Sequence, residues 1–224
     1  MQAIEEKIGY SFRSRALLVN ALTHSSYANE NRGRSCESNE RLEFLGDSVL
    51  GMVVAEALYR RFPDLSEGRL TRMRAQLVCE ESLHRVAGEI GLGAHIRLGK
   101  GEEHTGGRTR TSILADATEA LIAAMYLDGG MDVARGFIER YILPELNGEY
   151  IPFGDAKTDL QELIQKKSGS TLSYELVGES GPDHDKTFTT RVLLNGESVG
   201  TGSGRTKKEA EQAAARAALA ALRR

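Results

Sequence analysis

Three acidic residues have the types and the spacing for metal-ion chemistry. Glu40, Glu43 and Asp47 occupy positions i, i+3 and i+7 in the stretch NERLEFLGDS at 39–48. At about 100° per residue they share one side of a helix. None of them has a lysine or arginine three or four residues away, so no side chain of that helix compensates their charge. A cation must therefore come from elsewhere in the protein or from solution.

A second stretch carries two acids in a still more apolar setting. Asp116 and Glu119, at positions i and i+3, are the only charged residues of TSILADATEALIAAMYL at 111–127. A helix that is apolar nearly all round is expected to be buried. An ionised carboxylate in such a helix is costly unless it is paired or bound to a metal.

If the two acidic faces meet, their carboxylates converge on one site. Hard cations of the Mg²⁺ type bind carboxylate and water oxygens and need neither cysteine nor histidine. Such a centre suits phosphodiester hydrolysis, because a divalent metal activates water and neutralises charge on the leaving oxygen. The alternative is that each acidic set is an ordinary solvated helix face. That alternative is weaker for 111–127, because this helix lacks a polar side.

The elements that would position these acids are helical. Apolar periodicity and capping residues predict helices at 3–8, 14–22, 40–61, 66–78, 81–90, 111–127 and 131–146. No alternating strand pattern interrupts them. The polar segments 27–38 and 98–108 are predicted as exposed loops, and the second lacks the spacing of a phosphate-binding loop despite its glycines. Residues 1–148 are therefore predicted to form an all-α domain.

The pattern changes after a short linker at 149–156. Helix and strand patterns then follow in the order α-β-β-β-α, at 157–167, 171–179, 186–194, 197–202 and 207–222. Asn195-Gly196, between the last two strands, is a strong hairpin signal. Residues 157–224 are therefore predicted to form a small α+β domain with a three-stranded antiparallel sheet.

The stretch NERLEFLGDSVL at 39–50 resembles the signature of the ribonuclease III family, endonucleases that cleave double-stranded RNA. Further blocks resemble family blocks in the same order: ALTHSSYANE at 21–30, LTRMRAQLV at 70–78, LGKGEE at 98–103 and SILADATEALIAAMYLDGG at 112–130. The resemblance covers essentially the whole chain, and its C-terminal part resembles a double-stranded-RNA-binding domain. It implies a homodimer whose two sites each cut one strand, leaving 5′-phosphates and two-nucleotide 3′ overhangs. Processing of ribosomal RNA precursors and other RNA is the implied role.

The resemblance also implies roles for the acids of the signature and of the buried helix. The positions that match Glu43, Asp116 and Glu119 bind the divalent metal in the family, Mg²⁺ with Mn²⁺ able to substitute. Asp47 matches a position that helps to bind metal and to orient or activate the attacking water. The expected catalytic centre therefore consists of Glu43, Asp47, Asp116 and Glu119.

Three further positions match the family in supporting roles. Glu40 and Glu67 match additional acidic positions of the catalytic cleft. Phe44 matches a residue that inserts into the partner subunit. An exposed aromatic side chain beside the acidic face of this helix is also a reasonable anchor for an interface. The resemblance therefore implies that Phe44 lies at a dimer interface.

The C-terminal domain matches the family at three RNA-contacting regions. The implied RNA-binding residues are Thr158, Gln161, Glu162, His184, Lys207 and Lys208. Such domains contact 2′-hydroxyls and phosphates across about 16 base pairs and recognise shape more than sequence. Glu209 and Glu211 lie close to the lysine pair, so moderate and salt-sensitive affinity is expected.

Composition narrows the class of protein. The net charge is −3 and the composition is that of a soluble globular protein. No apolar run is long enough to span a bilayer and the N-terminus lacks a signal-peptide layout, so a cytoplasmic location is expected. Cys36 and Cys79 are predicted as free thiols. Isolated histidines, predicted as packing or surface residues, are His24, His84, His95 and His104.

Two other functions fit part of the sequence. One is a non-catalytic binder of double-stranded RNA whose helical half only dimerises, which a cleavage assay with and without EDTA distinguishes. The other is hydrolysis of nucleotide phosphates at an acidic helical site, which would leave the C-terminal domain without a purpose. Basic residues predicted to contact phosphates in the helical half are Arg72, Arg74, Arg108 and Arg110.

Overall fold

The computed structural model describes residues 2–32, 36–147, 156–165, 169–182 and 185–222. Contacts divide the chain into two units, Met1–Ile151 and Pro152–Arg224. The first unit is helical, and the second combines helices with a three-stranded antiparallel sheet. The predicted fold class, an all-α domain followed by a small α-β-β-β-α domain, is confirmed.

The first unit is a packed set of helices. In chain order they are α1 (Gln2–Ile8), α2 (Arg15–Ala21), α3 (Ser25–Glu30), α4 (Glu40–Arg61), α5 (Glu67–Leu77), α6 (Glu80–Ile90), α7 (Lys100–His104), α8 (Thr111–Gly129) and α9 (Met131–Tyr141). Short 3-10 turns occur at Leu92–His95, Gly107–Thr109 and Leu143–Asn147. The longest helices, α4 and α8, carry the acidic residues of the predicted metal site.

Helix α8 forms the centre of this unit. Its side chains are buried on nearly every side from Ile113 to Met125, as its apolar sequence predicts. It packs against α2, α4, α6 and α9, so an acid on α8 is surrounded by protein rather than water. Asp116 and Glu119 are nevertheless only half-buried, because they lie where α8 meets the first turns of α4.

Gly46 brings α4 and α8 into direct backbone contact. A Cβ atom added at Gly46 would overlap the carbonyl group of Glu119. Only glycine therefore allows this approach. Gly46 lies one turn after Glu43 and beside Asp47, so the close crossing sets the distance between the acids of α4 and those of α8.

The segments predicted as loops contain short helices. Residues 25–30 form α3 and residues 100–104 form α7. Glu30 Oε2 accepts the backbone N–H of Lys100 at 3.1 Å, and Ser26 Oγ accepts that of Gly99 at 2.9 Å. These groups satisfy N–H donors at the start of α7 from about seventy residues away in the chain. A local sequence pattern cannot reveal such a cap, and the loop predictions for residues 27–30 and 100–104 are wrong.

The second unit is an antiparallel meander flanked by two helices. Its elements are α10 (Ala156–Gln165), β1 (Leu172–Ser180), β2 (Thr187–Leu194), β3 (Glu197–Gly204) and α11 (Lys207–Leu222). The strand order is β1-β2-β3. Asn195 and Gly196 have φ angles of 52° and 85°, as a two-residue hairpin turn requires. The predicted hairpin is therefore present.

Close packing of β3 against α11 depends on alternating glycines. An added Cβ at Gly200 would lie 2.5 Å from the Ala218 nitrogen, and one at Gly202 would overlap the backbone of Ala214. Ala214 and Ala218 are fully buried in the core of this unit. Small residues on both elements therefore let the helix lie directly on the strand.

Candidate active site

Three carboxylates from α4 and α8 converge. Oxygen atoms of Glu43, Asp116 and Glu119 all lie within 4.8 Å of one another. All three side chains are half-buried. Among the described residues, no lysine or arginine forms an ion pair with any of them. The sequence pattern that predicted an uncompensated acidic centre therefore corresponds to a real cluster in space.

The electrostatic environment of Glu119 is the most strongly perturbed of the three. Burial, together with neighbouring negative charges, raises the pKa of Glu119 from 4.5 to about 8. The charges that contribute are those of Asp47, Glu43 and Asp116. Without a cation, the cluster therefore keeps a proton at neutral pH, because so many carboxylates cannot all ionise together.

The other two carboxylates are shifted in the same direction. Burial is the largest cause of the raised pKa of Glu43, followed by the negative charges of Asp116, Glu40 and Asp47. Burial also raises the pKa of Asp116. A cluster whose members all resist ionisation is stabilised by bound positive charge.

The donor set fits a hard divalent cation. It consists of carboxylate oxygens, which Mg²⁺ and Mn²⁺ prefer, and the described cluster includes no cysteine or histidine ligand. Three carboxylates leave positions in an octahedral shell for water or a phosphate oxygen. The residues therefore fit a metal centre that can also take substrate.

Family models match both units of the chain. A model described as ribonuclease-III-like matches residues 14–146, and the double-stranded RNA binding motif matches residues 156–222. The chain belongs to the ribonuclease III family. It is an endoribonuclease of this family with a double-stranded-RNA-binding domain, and divalent-metal dependence follows from the family and the acidic cluster.

Two relatives match the chain over nearly its whole length. It is 51% identical to ribonuclease 3 of Geobacillus kaustophilus over 223 residues, covering 99% of this chain and 91% of the relative. It is 48% identical to ribonuclease 3 of Listeria welshimeri over 219 residues, covering 97% of this chain and 96% of the relative. A solved nuclease domain of ribonuclease III from Campylobacter jejuni is 40% identical with a TM-score of 0.59, covering 64% of this chain and 96% of that domain.

Glu40 on α4 and Glu67 on α5 differ in whether their charges influence the three central carboxylates. Glu40 is exposed, its Oε2 accepts the Ser38 hydroxyl at 2.7 Å, and its charge contributes to the raised pKa of Glu43. Glu67 is exposed at the start of α5, where its Oε1 accepts the Thr71 hydroxyl at 2.7 Å. The pKa shifts of the three central carboxylates do not involve Glu67. Within one chain, the charge of Glu40 therefore affects the pKa of Glu43, whereas the charge of Glu67 affects none of the three central carboxylates.

Sequence reasoning missed two residues near Asp116. The negative charge of Glu80, at the start of α6, adds to the rise in the pKa of Asp116, while the imidazole of His24 opposes it. His24, predicted as a packing or surface residue, is half-buried at the N-cap of α3. In the sequence, Glu80 is an ordinary acid in the first turn of a helix, and His24 lies about ninety residues from Asp116. The sequence around each of these two residues does not indicate a role in the site, because only tertiary contacts bring them near Asp116.

An apolar face of α4 lies next to the acidic one. Phe44, Met52 and Tyr59 are 78%, 50% and 73% exposed. With Ser48 and Ala55 they follow a spacing of four, four, three and four residues, which is one face of a helix. Exposed aromatic and methionine side chains on one face are typical of protein–protein interfaces.

Arg108, one of the four predicted phosphate contacts, forms several hydrogen bonds within the protein. Its guanidinium donates to both carboxylate oxygens of Glu103 at 2.6 Å, and Nη1 donates to the carbonyls of Gly93 and Ile96 at 2.9 and 2.8 Å. These bonds hold the segment before α8 against the turn that follows α6. Arg108 therefore has a structural role, and a phosphate contact by its remaining exposed surface stays a prediction.

The remaining predicted phosphate contacts have different surroundings. Arg110 Nη1 pairs with Glu102 at 2.5 Å, next to α7. Arg72 is half-buried on α5 and Arg74 is exposed on the same helix. Arg74 and Arg110 are therefore exposed, and Arg72 is half-buried.

Most of the RNA-binding residues predicted for the second unit lie on its two helices. Gln161 is exposed and Thr158 half-buried on α10, and both Lys207 and Lys208 are exposed at the start of α11. His184 and the side chain of Glu162 lie outside the described residues. The lysines therefore occupy a helix N-terminus, whose dipole also favours phosphate.

The acids beside these lysines already have partners. Glu209 accepts the backbone N–H of Thr206 at 3.3 Å, and the Thr206 hydroxyl accepts that of Glu209 at 3.1 Å, which is a capping box. Glu211 pairs with Lys157 at 2.8 Å. Both acids therefore serve the domain's own stability.

No helix among the described residues is both long and apolar enough to cross a membrane.

Proposed function

We propose that this protein hydrolyses phosphodiester bonds of double-stranded RNA at a Mg²⁺ centre formed by Glu43, Asp116 and Glu119. The observation that supports this is the convergence of three carboxylate oxygens within 4.8 Å, with raised pKa values and no basic partner among the described residues. Such a cluster is unfavourable alone and favourable around a divalent cation. Mn²⁺ is expected to substitute for Mg²⁺.

Each acid has a distinct role in the proposal. Glu43, Asp116 and Glu119 hold the ion, which when bound lowers the pKa of a coordinated water and stabilises charge on the scissile phosphate. Asp47, exposed on the same side of α4, orients the attacking water and adds to the metal site. Glu40 strengthens the negative potential at Glu43. Glu67 has a supporting role in the cleft.

Glu119 holds a proton in the metal-free protein. Its pKa of about 8 lies above neutral pH, so the carboxyl group is mostly protonated when no cation is bound. Binding of a cation is expected to displace that proton, since ligating carboxylates are ionised. Metal affinity is therefore expected to increase with pH.

The proposed products require two centres. The Campylobacter jejuni nuclease domain is described as having a region involved in dimer formation. In this chain the exposed face of α4 with Phe44, Met52 and Tyr59 is suited to contact a second copy. A homodimer with two centres cuts both strands, leaving 5′-phosphates and two-nucleotide 3′ overhangs.

Replacing Phe44 with glutamate is expected to convert the dimer to monomers, because it places a charge in the apolar contact. Light scattering after size-exclusion chromatography should show half the wild-type mass. Val177→Glu, at another exposed apolar residue in the second unit, is the matched control and should remain dimeric. A Phe44→Glu protein with the wild-type mass would contradict an interface at this residue.

The assignment of different functions to the two domains is also a proposal. Residues 1–148 carry the chemistry and residues 157–224 improve capture of the duplex. Contacts to hydroxyls and phosphates are assigned to Thr158, Gln161, Glu162, His184, Lys207 and Lys208. The cellular substrates suggested by the family are ribosomal RNA precursors and messenger RNAs in the cytoplasm.

Replacing Lys207 and Lys208 together with alanine is expected to weaken duplex binding equally for all sequences. The slope of log Kobs against log salt should decrease by about 2, one for each phosphate that the protein no longer neutralises. Binding titrations over a range of salt concentrations measure this. Lys186→Ala is the control, because Lys186 is paired with Glu179 at 3.0 Å. An unchanged slope in the double variant would remove the lysine pair from the interface.

The proposed activity is tested with a perfectly paired RNA duplex. Cleavage is expected with Mg²⁺ and not with EDTA, and a DNA duplex of the same sequence should remain intact. Binding without cleavage in Mg²⁺ would favour the non-catalytic binder. Release of phosphate from nucleoside triphosphates, with the duplex left intact, would favour nucleotide hydrolysis.

A further inference from the structure

The first turns of α11 place acids directly beside the proposed phosphate contacts. Lys207 and Lys208 begin the helix, and Glu209 and Glu211 follow them. Glu211 is a neighbour of both lysines on the helix surface, at i+4 from Lys207 and i+3 from Lys208. A carboxylate in this position that had no other cation would pair with a lysine and repel the RNA backbone. Phosphate binding here therefore depends on what the carboxylates contact.

Glu209 is held by backbone donors of the residues that precede the helix. Its Oε2 accepts the N–H groups of Arg205 and Thr206 at 2.8 and 3.3 Å. These donors are close in the chain, so Glu209 needs no partner from another element.

Glu211 is held instead by a residue of α10. Its Oε2 lies 2.8 Å from Nζ of Lys157, 54 residues earlier in the chain. The same ammonium lies 4.6 Å from the centre of the Tyr174 ring, where the face of an aromatic ring attracts a cation. The side chains of Lys157 and Glu211 are 39% and 32% exposed, so the pair is partly shielded from solvent. The ammonium of Lys157 is therefore fixed between β1 and α11.

The backbone of Lys157 is tied to the same part of α11. Its N–H donates to Oε1 of Gln212 at 3.4 Å, and Gln212 is buried. This bond satisfies one of the N–H groups at the start of α10 that have no acceptor within their own helix. Lys157 therefore contacts two successive residues of α11, and it does so from the turn of α10 that carries Thr158.

Lys207 and Lys208 have no comparable contacts. Both are exposed, and among the described residues neither forms an ion pair with an acid. The ammonium of Lys207 lies 5.9 Å from the centre of the Phe188 ring, near the limit of a cation–π contact. Glu211 is therefore paired with the lysine of α10 and not with a lysine of its own helix.

We propose that Lys157 is a positioning residue for RNA binding, which keeps Glu211 paired so that Lys207 and Lys208 remain available to phosphates. The ammonium of Lys157 acts through Glu211 and does not itself contact the RNA. The inference rests on the proposed phosphate contacts of the two lysines and adds a residue on which those contacts depend.

Two other roles for Lys157 predict different results. A direct phosphate contact would be lost with the lysine, whether or not the Glu211 carboxylate is present. A purely structural residue would change the stability of the domain and leave the affinity of the folded protein unchanged. Glu211→Gln separates these roles, because it removes the charge that Lys157 is proposed to neutralise.

The experiment measures binding of the full chain to a perfect RNA duplex in Ca²⁺ over a range of salt concentrations. Lys157→Met keeps the apolar part of the side chain and removes the charge. It is expected to weaken binding by about threefold to tenfold and to reduce the slope of log Kobs against log salt by about 1, because the released Glu211 neutralises about one lysine. Lys157→Gln, a second uncharged variant, should behave in the same way.

Controls separate charge from folding. Lys157→Arg keeps the positive charge and should bind with the wild-type affinity. Thermal melts give the folded fraction of each variant, so affinities are compared per folded protein.

Combining Lys157→Met with Glu211→Gln is the decisive comparison. The double variant should recover the wild-type affinity and salt slope, because the uncompensated carboxylate is gone. Glu211→Gln alone should change binding much less than it does in the Lys157→Met background. Such non-additivity measures the coupling between the two residues.

Three results would overturn the proposal. A double variant that stays weak, with the slope still reduced, assigns Lys157 to a direct phosphate contact. Wild-type affinity of folded Lys157→Met leaves the residue a structural role only. Equal effects of Glu211→Gln in both backgrounds show that the two residues act independently. Each of these results concerns Lys157 alone, whereas an unchanged salt slope on replacing Lys207 and Lys208 with alanine refutes the proposed phosphate contacts themselves.

Discussion

Replacing Glu119 with glutamine is expected to reduce the rate of duplex cleavage by about a thousandfold or more, because a metal ligand contributes several kcal/mol of transition-state stabilisation. The substitution removes an anionic oxygen from a cluster in which three carboxylates lie within 4.8 Å. Affinity for the duplex should change little, since the RNA-binding domain is intact. Single-turnover cleavage and binding in Ca²⁺ measure the two quantities separately.

The same substitution is expected to stabilise the metal-free protein. The pKa of Glu119 is raised from 4.5 to about 8, so between these values the unfolded chain releases a proton that the folded protein keeps. Stability contributed by the protonated form is present below pH 4.5 and is lost as the pH rises to about 8. Glutamine does not titrate, so Glu119→Gln should lose less stability over this window.

Thermal melts in EDTA and in Mg²⁺ test this part of the prediction. Mg²⁺ should stabilise the wild-type protein more than Glu119→Gln, because only the wild-type site binds the ion tightly. Glu56→Gln is a control on the same helix as Glu43, since Glu56 pairs with Arg135 at 2.8 Å away from the cluster. It should cleave at the wild-type rate. Wild-type cleavage by Glu119→Gln in saturating Mg²⁺ would refute the role assigned to Glu119.

Replacing Gly46 with alanine is expected to damage both folding and catalysis. The added methyl group overlaps the backbone carbonyl of Glu119, so α4 and α8 must move apart. Overpacking of this kind costs about 1–3 kcal/mol of the free energy of unfolding. The movement also separates Glu43 from Glu119, so cleavage should decrease more than the unfolded fraction explains.

Gly51 provides the matched control on the same helix. A Cβ added at Gly51 meets nothing within 4 Å. Gly51→Ala should therefore raise stability by up to about 1 kcal/mol, because alanine favours the helix. Urea unfolding and cleavage assays compare the two variants. A Gly46→Ala protein with wild-type stability and activity would show that the crossing of the helices does not set the geometry of the site.

Much of the architecture follows from local sequence patterns. The apolar sequence of 111–127 requires a buried helix, and its two acids require a positive partner, so the convergence of Glu43 with Asp116 and Glu119 could be predicted. Glu40 and Asp47, which the same pattern grouped with Glu43, are exposed and lie outside that cluster. The Asn195-Gly196 turn and the change to strand patterns after residue 156 similarly predict the second domain. These features depend on residues that are close together in the chain.

What could not be predicted depends on contacts between distant segments. Helix α7 exists because Glu30 and Ser26 bind its first N–H groups. Arg108 is used internally because Glu103 and two carbonyls surround it. His24 and Glu80 reach Asp116 only through the packing of helices, so the residues next to them in the chain carry no signal for the active site.

The role of the carboxylates is tested most directly by anomalous diffraction from a crystal containing Mn²⁺. An anomalous peak is expected in contact with carboxylate oxygens of Glu43, Asp116 and Glu119, and it should be absent from a Glu119→Gln crystal prepared in the same way. Mn²⁺ bound only elsewhere, with these three side chains free of it, would contradict the proposed metal centre.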